Sequence, residues 1–284
     1  MKYTFLLPFT LLFINGFGQD FTPNYDESKI PEYELPALLS LKNGDKVQSS
    51  AQWEKSRRKE ILSDFEEYVY GKIPKGKVKI KTELIKEMDA FNGKATMKEV
   101  KMIFTKNDQS ISMDILIYLP KSHVKVPTFV GLNFKGNHAI IDDPKITLTK
   151  NWIENDADLH ITNNKATEAS RGVRHYRWPV ETIIDRGYGL ATIFIGDIDP
   201  DKNDLSDGIH ALFYKSGQIQ PAKDEWGAIS AWAWGLSRAM DYFEEDDDID
   251  ESKIALMGHS RLGKTSLWAG ALDRRFAIVI SNDS

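Results

Sequence analysis

The residues best equipped for chemistry stand together in one short turn, Gly258-His259-Ser260-Arg261-Leu262-Gly263-Lys264. A serine at the tip of a sharp strand-to-helix turn lifts its hydroxyl above the sheet. The N–H of the next residue, at the helix N-terminus, can then stabilise an oxyanion. Gly258 holds the first glycine position of Gly-x-Ser-x-Gly, Leu262 stands at the second, and Gly263 follows one residue late. The chemistry of such a turn is acyl transfer through a serine ester, which splits one hard step into two.

The same letters, Gly258 to Thr265, also satisfy Gly-x4-Gly-Lys-[Ser/Thr], the phosphate-binding loop. A loop whose amides converge on phosphate needs small residues, and His259, Arg261 and Leu262 fill this one. Such a loop commonly opens its domain, whereas little chain follows Thr265, and an exported protein meets little ATP. Ser260 as a plain helix cap is the third reading. The flanking glycines and Arg261 favour the nucleophile.

Gly-x-Ser-Arg-x-Gly-Lys, in place of Gly-x-Ser-x-Gly, resembles the glucuronoyl esterases of carbohydrate esterase family 15, bacterial branch. The resemblance extends through Asn133-Phe134-Lys135-Gly136-Asn137-His138, Arg171-Gly172 with Arg177-Trp178, and Arg186 to Thr192. It continues through Gly196-Asp197-Ile198 with Pro200-Asp201, Trp232-Ala233-Trp234-Gly235 and Leu267 to Ala271. It implies a secreted serine esterase that hydrolyses 4-O-methyl-glucuronoyl esters linking xylan side chains to lignin alcohols. Acetyl xylan esterase activity and a non-catalytic carbohydrate-binding relative are the rival readings.

By that resemblance Ser260 is the nucleophile and Arg261 supplies both its N–H and its guanidinium to the oxyanion. Lys264, one helical turn on, contacts sugar hydroxyls, and Asp283, just past a strand, is the candidate triad acid. Asn137 lies in the loop that often supplies a second oxyanion amide. Trp178, beside Arg177, is a candidate sugar contact. All six histidines precede Ser260, although the expected order is serine, acid, histidine. We therefore expect a chain truncated at its C-terminus, inactive by itself for want of the catalytic histidine. No cofactor or metal is expected. Asp197, Asp199, Asp201 and Asn203 alternate like a calcium loop, but Lys202 and Gly208 replace its glycine and glutamate, so a polar active-site loop is expected there.

Positioning these residues calls for an α/β-hydrolase three-layer sandwich with a mainly parallel central sheet. Strand patterns run over Val78–Leu84, Val100–Thr105 and Ile111–Leu119 as an antiparallel start, then Thr128–Asn133. Residues 142–177 read as an inserted surface region. Helices are expected over Trp53–Tyr70, Trp178–Arg186, Glu225–Phe243 and Leu262–Leu272. Strands over Leu190–Ile195, Lys253–Met257 and Phe276–Ile280 alternate with the later helices, which predicts parallel βαβ units. Trp226 and Trp232 fall on an apolar stripe and are read as core. The run Glu244-Glu245-Asp246-Asp247-Asp248 reads as a solvated loop.

The chain of 284 residues is 41% hydrophobic and 11% aromatic, which fits a globular core, and its net charge of -5 disfavours nucleic acid as a partner. Residues 1–19 pair Lys2 with an apolar run from Phe5 to Ile14 and small residues, a signal peptide cleaved near Gly18 or Gln19. That run is too short for a membrane anchor. Export to the periplasm or medium follows, with an extended arm over 20–52, a catalytic domain over 53–284, and a monomer as the expected state. The absence of cysteine excludes disulfides and thiolate chemistry.

Overall fold

The computed structural model describes residues 23–284. The signal-peptide expectation for residues 1–19 lies outside them. The strands are β1 (Lys79–Ala90), β2 (Ala95–Lys106), β3 (Gln109–Pro120), β4 (Val126–Asn133), β5 (Gly189–Phe194), β6 (Ile249–His259) and β7 (Ile278–Asn282). They form one sheet in the order β1-β2-β3-β5-β4-β6-β7. The first three make an antiparallel meander and β3 meets β5 antiparallel. From β5 through β4 and β6 to β7 every pairing is parallel, and this half carries the serine turn.

The helices are α1 (Ser50–Gln52), α2 (Arg58–Phe65), α3 (Val180–Asp185), α4 (Ile195–Ile198), α5 (Ala228–Phe243) and α6 (Arg261–Leu272). Period-two alternation along β3 shows why three layers form. Ile115 and Ile117 enter the larger core with Val130, Leu256, Trp232 and Phe243, while Leu116 and Tyr118 join Val180, Ile184 and Leu190 on the opposite face. Each such side chain withdrawn from water contributes about 1.5–3 kcal/mol. Among the described residues no helix is long and apolar enough to cross a membrane.

Three expectations are corrected. Helix α5 starts at Ala228, so Trp226 precedes it; the Lys72–Glu225 bridge and the Trp226 N–H bond to the Lys72 carbonyl hold that stretch extended. Trp226 is nevertheless buried core. Residues 142–177 are irregular but not only surface, because Ile146, Ile153 and Ile161 plug into the two cores. The acidic run is not all solvated. Asp246 is buried, with both carboxylate oxygens 2.9 Å from Lys98 Nζ and one 2.6 Å from the Tyr242 hydroxyl. A lysine on β2, distant in sequence, makes that burial affordable.

Candidate active site

Ser260 sits alone between the end of β6 and the start of α6, at φ 56° and ψ -127°. Such backbone strain on a non-glycine residue costs on the order of 1–3 kcal/mol and persists only where the surroundings impose it. Here they do. The Ser260 N–H donates to the Asn282 carbonyl at 2.9 Å, and the Ser260 carbonyl accepts from Gly263 at 2.8 Å and Lys264 at 3.1 Å. Gly258 is obligatory, since a Cβ there would lie 2.1 Å from the Leu262 carbonyl oxygen. The Arg261 N–H opens α6, where amides lack intrahelical acceptors and carry the positive end of the helix dipole.

Two adjoining cavities flank the turn. The larger, about 390 Å³, is lined by Leu132, Trp178, Met257, His259 and Leu262 among others, with Arg177 on its wall. The smaller, about 220 Å³, is lined by Trp152, Glu154, Asp201 and Arg261. Phe134, Lys135 and Arg174 border both. Ser260 itself lines neither cavity; the walls beside its turn carry aromatic and cationic side chains together with Glu154 and Asp201, a mixture suited to a polyhydroxylated ring.

Arg261 and Trp178 both reach these cavities. The Arg261 guanidinium donates to Asp201 at 2.7 Å and lies 5.2 Å from the Phe134 ring centroid. Lys264 is exposed on α6, and Asp283 is exposed one residue beyond the Ser260–Asn282 bond; neither lines a cavity. Asn137 lines neither cavity. Its side chain is buried, donating to the Asp114 carbonyl and accepting from Asn133, both at 2.8 Å. Both ends of its side-chain amide are used, and Asn133, Lys135 and Gly136 line the larger cavity.

No histidine among the described residues hydrogen-bonds Ser260. His259 lines the larger cavity, where its Nδ1 is 3.4 Å from Asn282 Nδ2. His138 is fully buried, its Nε2 3.0 Å from Ser170 Oγ. Ser170 donates its own hydrogen to the Thr167 carbonyl, so His138 must donate from Nε2, which leaves Nδ1 without a partner. Burial, with the nearby Arg171 charge, pushes its pKa down to about 4. It is a neutral structural histidine.

Asp197, in the short helix α4 that follows β5, accepts from the Asp114 N–H at 3.1 Å and from Asn151 at 2.8 Å. Burial and the Asp114 charge push its carboxyl up to about 7. Among the described residues no group of three or more His, Cys, Asp or Glu is arranged to hold a metal. Phe134, Arg174, Trp152 and Asp201 are site residues that the sequence did not single out for these roles. Phe134 and Asp201 stand in stretches quoted above, Asp201 also in the expected polar loop, whereas Arg174 and Trp152 carry no local signal.

The fungal glucuronyl esterase family model matches residues 185–284, which include the whole turn. The chain is 52% identical over 262 residues to carbohydrate esterase MZ0003 from an unknown prokaryotic organism, covering 92% of this chain and 61% of that one. It is 31% identical over 126 residues to a 4-O-methyl-glucuronoyl methylesterase of Phanerochaete carnosa, covering 38% and 30%. Among solved structures it is similar to a promiscuous family 15 esterase from a marine bacterial metagenome, with a TM-score of 0.83, 52% identity, and coverage of 91% and 65%. The glucuronoyl esterase of Solibacter usitatus matches with a TM-score of 0.82, 43% identity, and coverage of 90% and 64%. The chain thus spans less than two thirds of the length of these relatives.

Proposed function

Because the chain belongs to the glucuronoyl esterases of carbohydrate esterase family 15, we propose that it is the nucleophile-bearing part of an exported serine esterase. Its substrates would be 4-O-methyl-glucuronoyl esters that join xylan side chains to lignin alcohols. The observation that carries this reading is the backbone of Ser260, strained at φ 56° between a parallel strand and a helix N-terminus.

In this reading the Ser260 hydroxyl adds to the ester carbonyl. The oxyanion is met by the Arg261 N–H and by its guanidinium, which Asp201 holds at the edge of the smaller cavity. Collapse expels the alcohol and leaves an acyl-enzyme for water to hydrolyse. Asp283 is the acid that orients the base, and Lys264 and Trp178 meet the sugar. The amino-terminal pattern of residues 1–19 supports export, and a monomer is the expected state.

The decisive experiment uses the protein from its complete gene. Ser260→Ala should abolish hydrolysis of methyl 4-O-methyl-glucuronate while leaving the melting temperature unchanged, and retained turnover refutes the nucleophile. Asp283→Asn should lower kcat by about 10²–10⁴ if it is the acid. Comparable rates on acetyl xylan would favour a broader esterase, a scope that the promiscuous metagenomic relative makes worth measuring.

A further inference from the structure

Arg261 is half exposed, and its ion pair with Asp201 is a weak tether unless Asp201 is itself held. What holds Asp201 lies two residues upstream. Asp199 is fully buried: its N–H donates to the Ile195 carbonyl at 2.8 Å and its carbonyl accepts from Trp232 Nε1 at 2.8 Å. Its Oδ1 stands 2.9 Å from His210 Nδ1, and its Oδ2 is buried without a partner among the described residues.

His210 is equally buried, with Nε2 3.1 Å from the Trp226 carbonyl and its ring 4.9 Å from the Trp226 indole. A carbonyl only accepts, so Nε2 carries a hydrogen, and the other ring nitrogen shares one proton with the Asp199 carboxyl. Burial pushes that carboxyl up while the hydrogen bond from His210 pulls it back, and the net direction is upward. Gly208 crosses so tightly that a Cβ would lie 2.2 Å from Asp199 Oδ1. A buried carboxyl and imidazole are costly to hold, and this pair lines neither cavity. Pro200, whose φ is fixed by its ring, is the only residue between Asp199 and Asp201.

We propose that the buried Asp199–His210 pair is the positioning element for Arg261, fixing the Asp199-Pro200-Asp201 segment so that Asp201 holds the guanidinium beside Ser260. Neither residue of the pair touches the substrate. The assignment rests on the esterase reading above, in which Arg261 meets the oxyanion.

The test is a double-mutant cycle in the protein from its complete gene, with melting temperatures recorded. His210→Asn keeps a donor where Nδ1 stands, and His210→Gln removes it. His210→Gln should lower kcat about tenfold with KM within about twofold, and should lower it no further in an Arg261→Ala background. His210→Asn should recover most of the loss. An equal loss in both backgrounds, in folded proteins, overturns the proposal.

Coupling is reciprocal, so removing the exposed Arg261 side chain should speed exchange of the His210 ring N–H by about threefold in nuclear magnetic resonance. Unchanged exchange overturns the proposal even if the His210 variants do not fold. An active Ser260→Ala protein would instead remove the Ser260 nucleophile from the reading above, and the exchange measurement, which needs no activity, still decides the positioning role.

Discussion

The Ser260 N–H donates to the Asn282 carbonyl at 2.9 Å, so the strained turn is pinned by the edge strand β7 as well as by its own helix. The strain is thus shared between two elements, and removing either support should release it.

Gly258 offers the simplest way to disturb that arrangement. Gly258→Ala drives a methyl group to 2.1 Å from the Leu262 carbonyl, which must move with the first turn of α6. We expect a loss of about 2 kcal/mol or more in stability and, in the proposed reaction, about 10²-fold in kcat, since a misplacement of about 1 Å at a reacting group is that costly. Urea denaturation and steady-state kinetics check both, and a fully active variant would show that the turn tolerates relaxation.

His138 and Asp197 give opposing pH slopes over one window. Asp197 loses its proton at about 7 in the folded chain and near 3.8 when unfolded, so its contribution falls as pH rises through that range. His138 loses its proton at about 4 folded and near 6.5 unfolded, so its contribution falls as pH drops from 6.5 to 4. Together they flatten the profile. Asp197→Asn should uncover the histidine limb, with melting temperature climbing between pH 4 and 6.5. Parallel curves for the two proteins would refute the Asp197 assignment.

Lys98 on β2 is the counterion of the buried Asp246. Burial opposes the Asp246 charge, but the bonds from Tyr242, the Asp248 N–H and Lys98 outweigh it and hold the carboxyl below its usual range. Lys98→Met leaves that charge uncompensated and should cost about 3–5 kcal/mol at pH 7. A lowered carboxylate contributes above its unfolded pKa and loses that contribution as pH falls through the folded one, so the deficit should shrink well below pH 3.8. Denaturant midpoints at the two pH values measure it.

Much of the frame was legible because its signals are local. Alternation along β3, the glycines around Ser260 and the long apolar stripe of α5 each specify one element from neighbouring residues. What escaped was long-range pairing. Nothing near Asp201 announces Arg261, nothing near Asp246 announces Lys98, and the direction of Asn137 follows from an acceptor on β3. The irregular stretch 142–177 reads as surface because its three buried isoleucines are isolated, and isolated apolar residues carry no period.

The two halves of the sheet also differ in how far apart their partners lie along the chain. In the meander Lys106 pairs with Gln109 and Ala90 with Ala95, whereas Thr128 on β4 must find Ile254 on β6. Local pairings close early and distant ones late. The chain should therefore raise its antiparallel wall first and assemble the Ser260 turn last. Pulse-labelled hydrogen exchange should protect β1–β3 amides before those of β4 and β6, and simultaneous protection would rule this order out. A protein built in this sequence completes the Ser260 turn only after the rest of the fold has already succeeded.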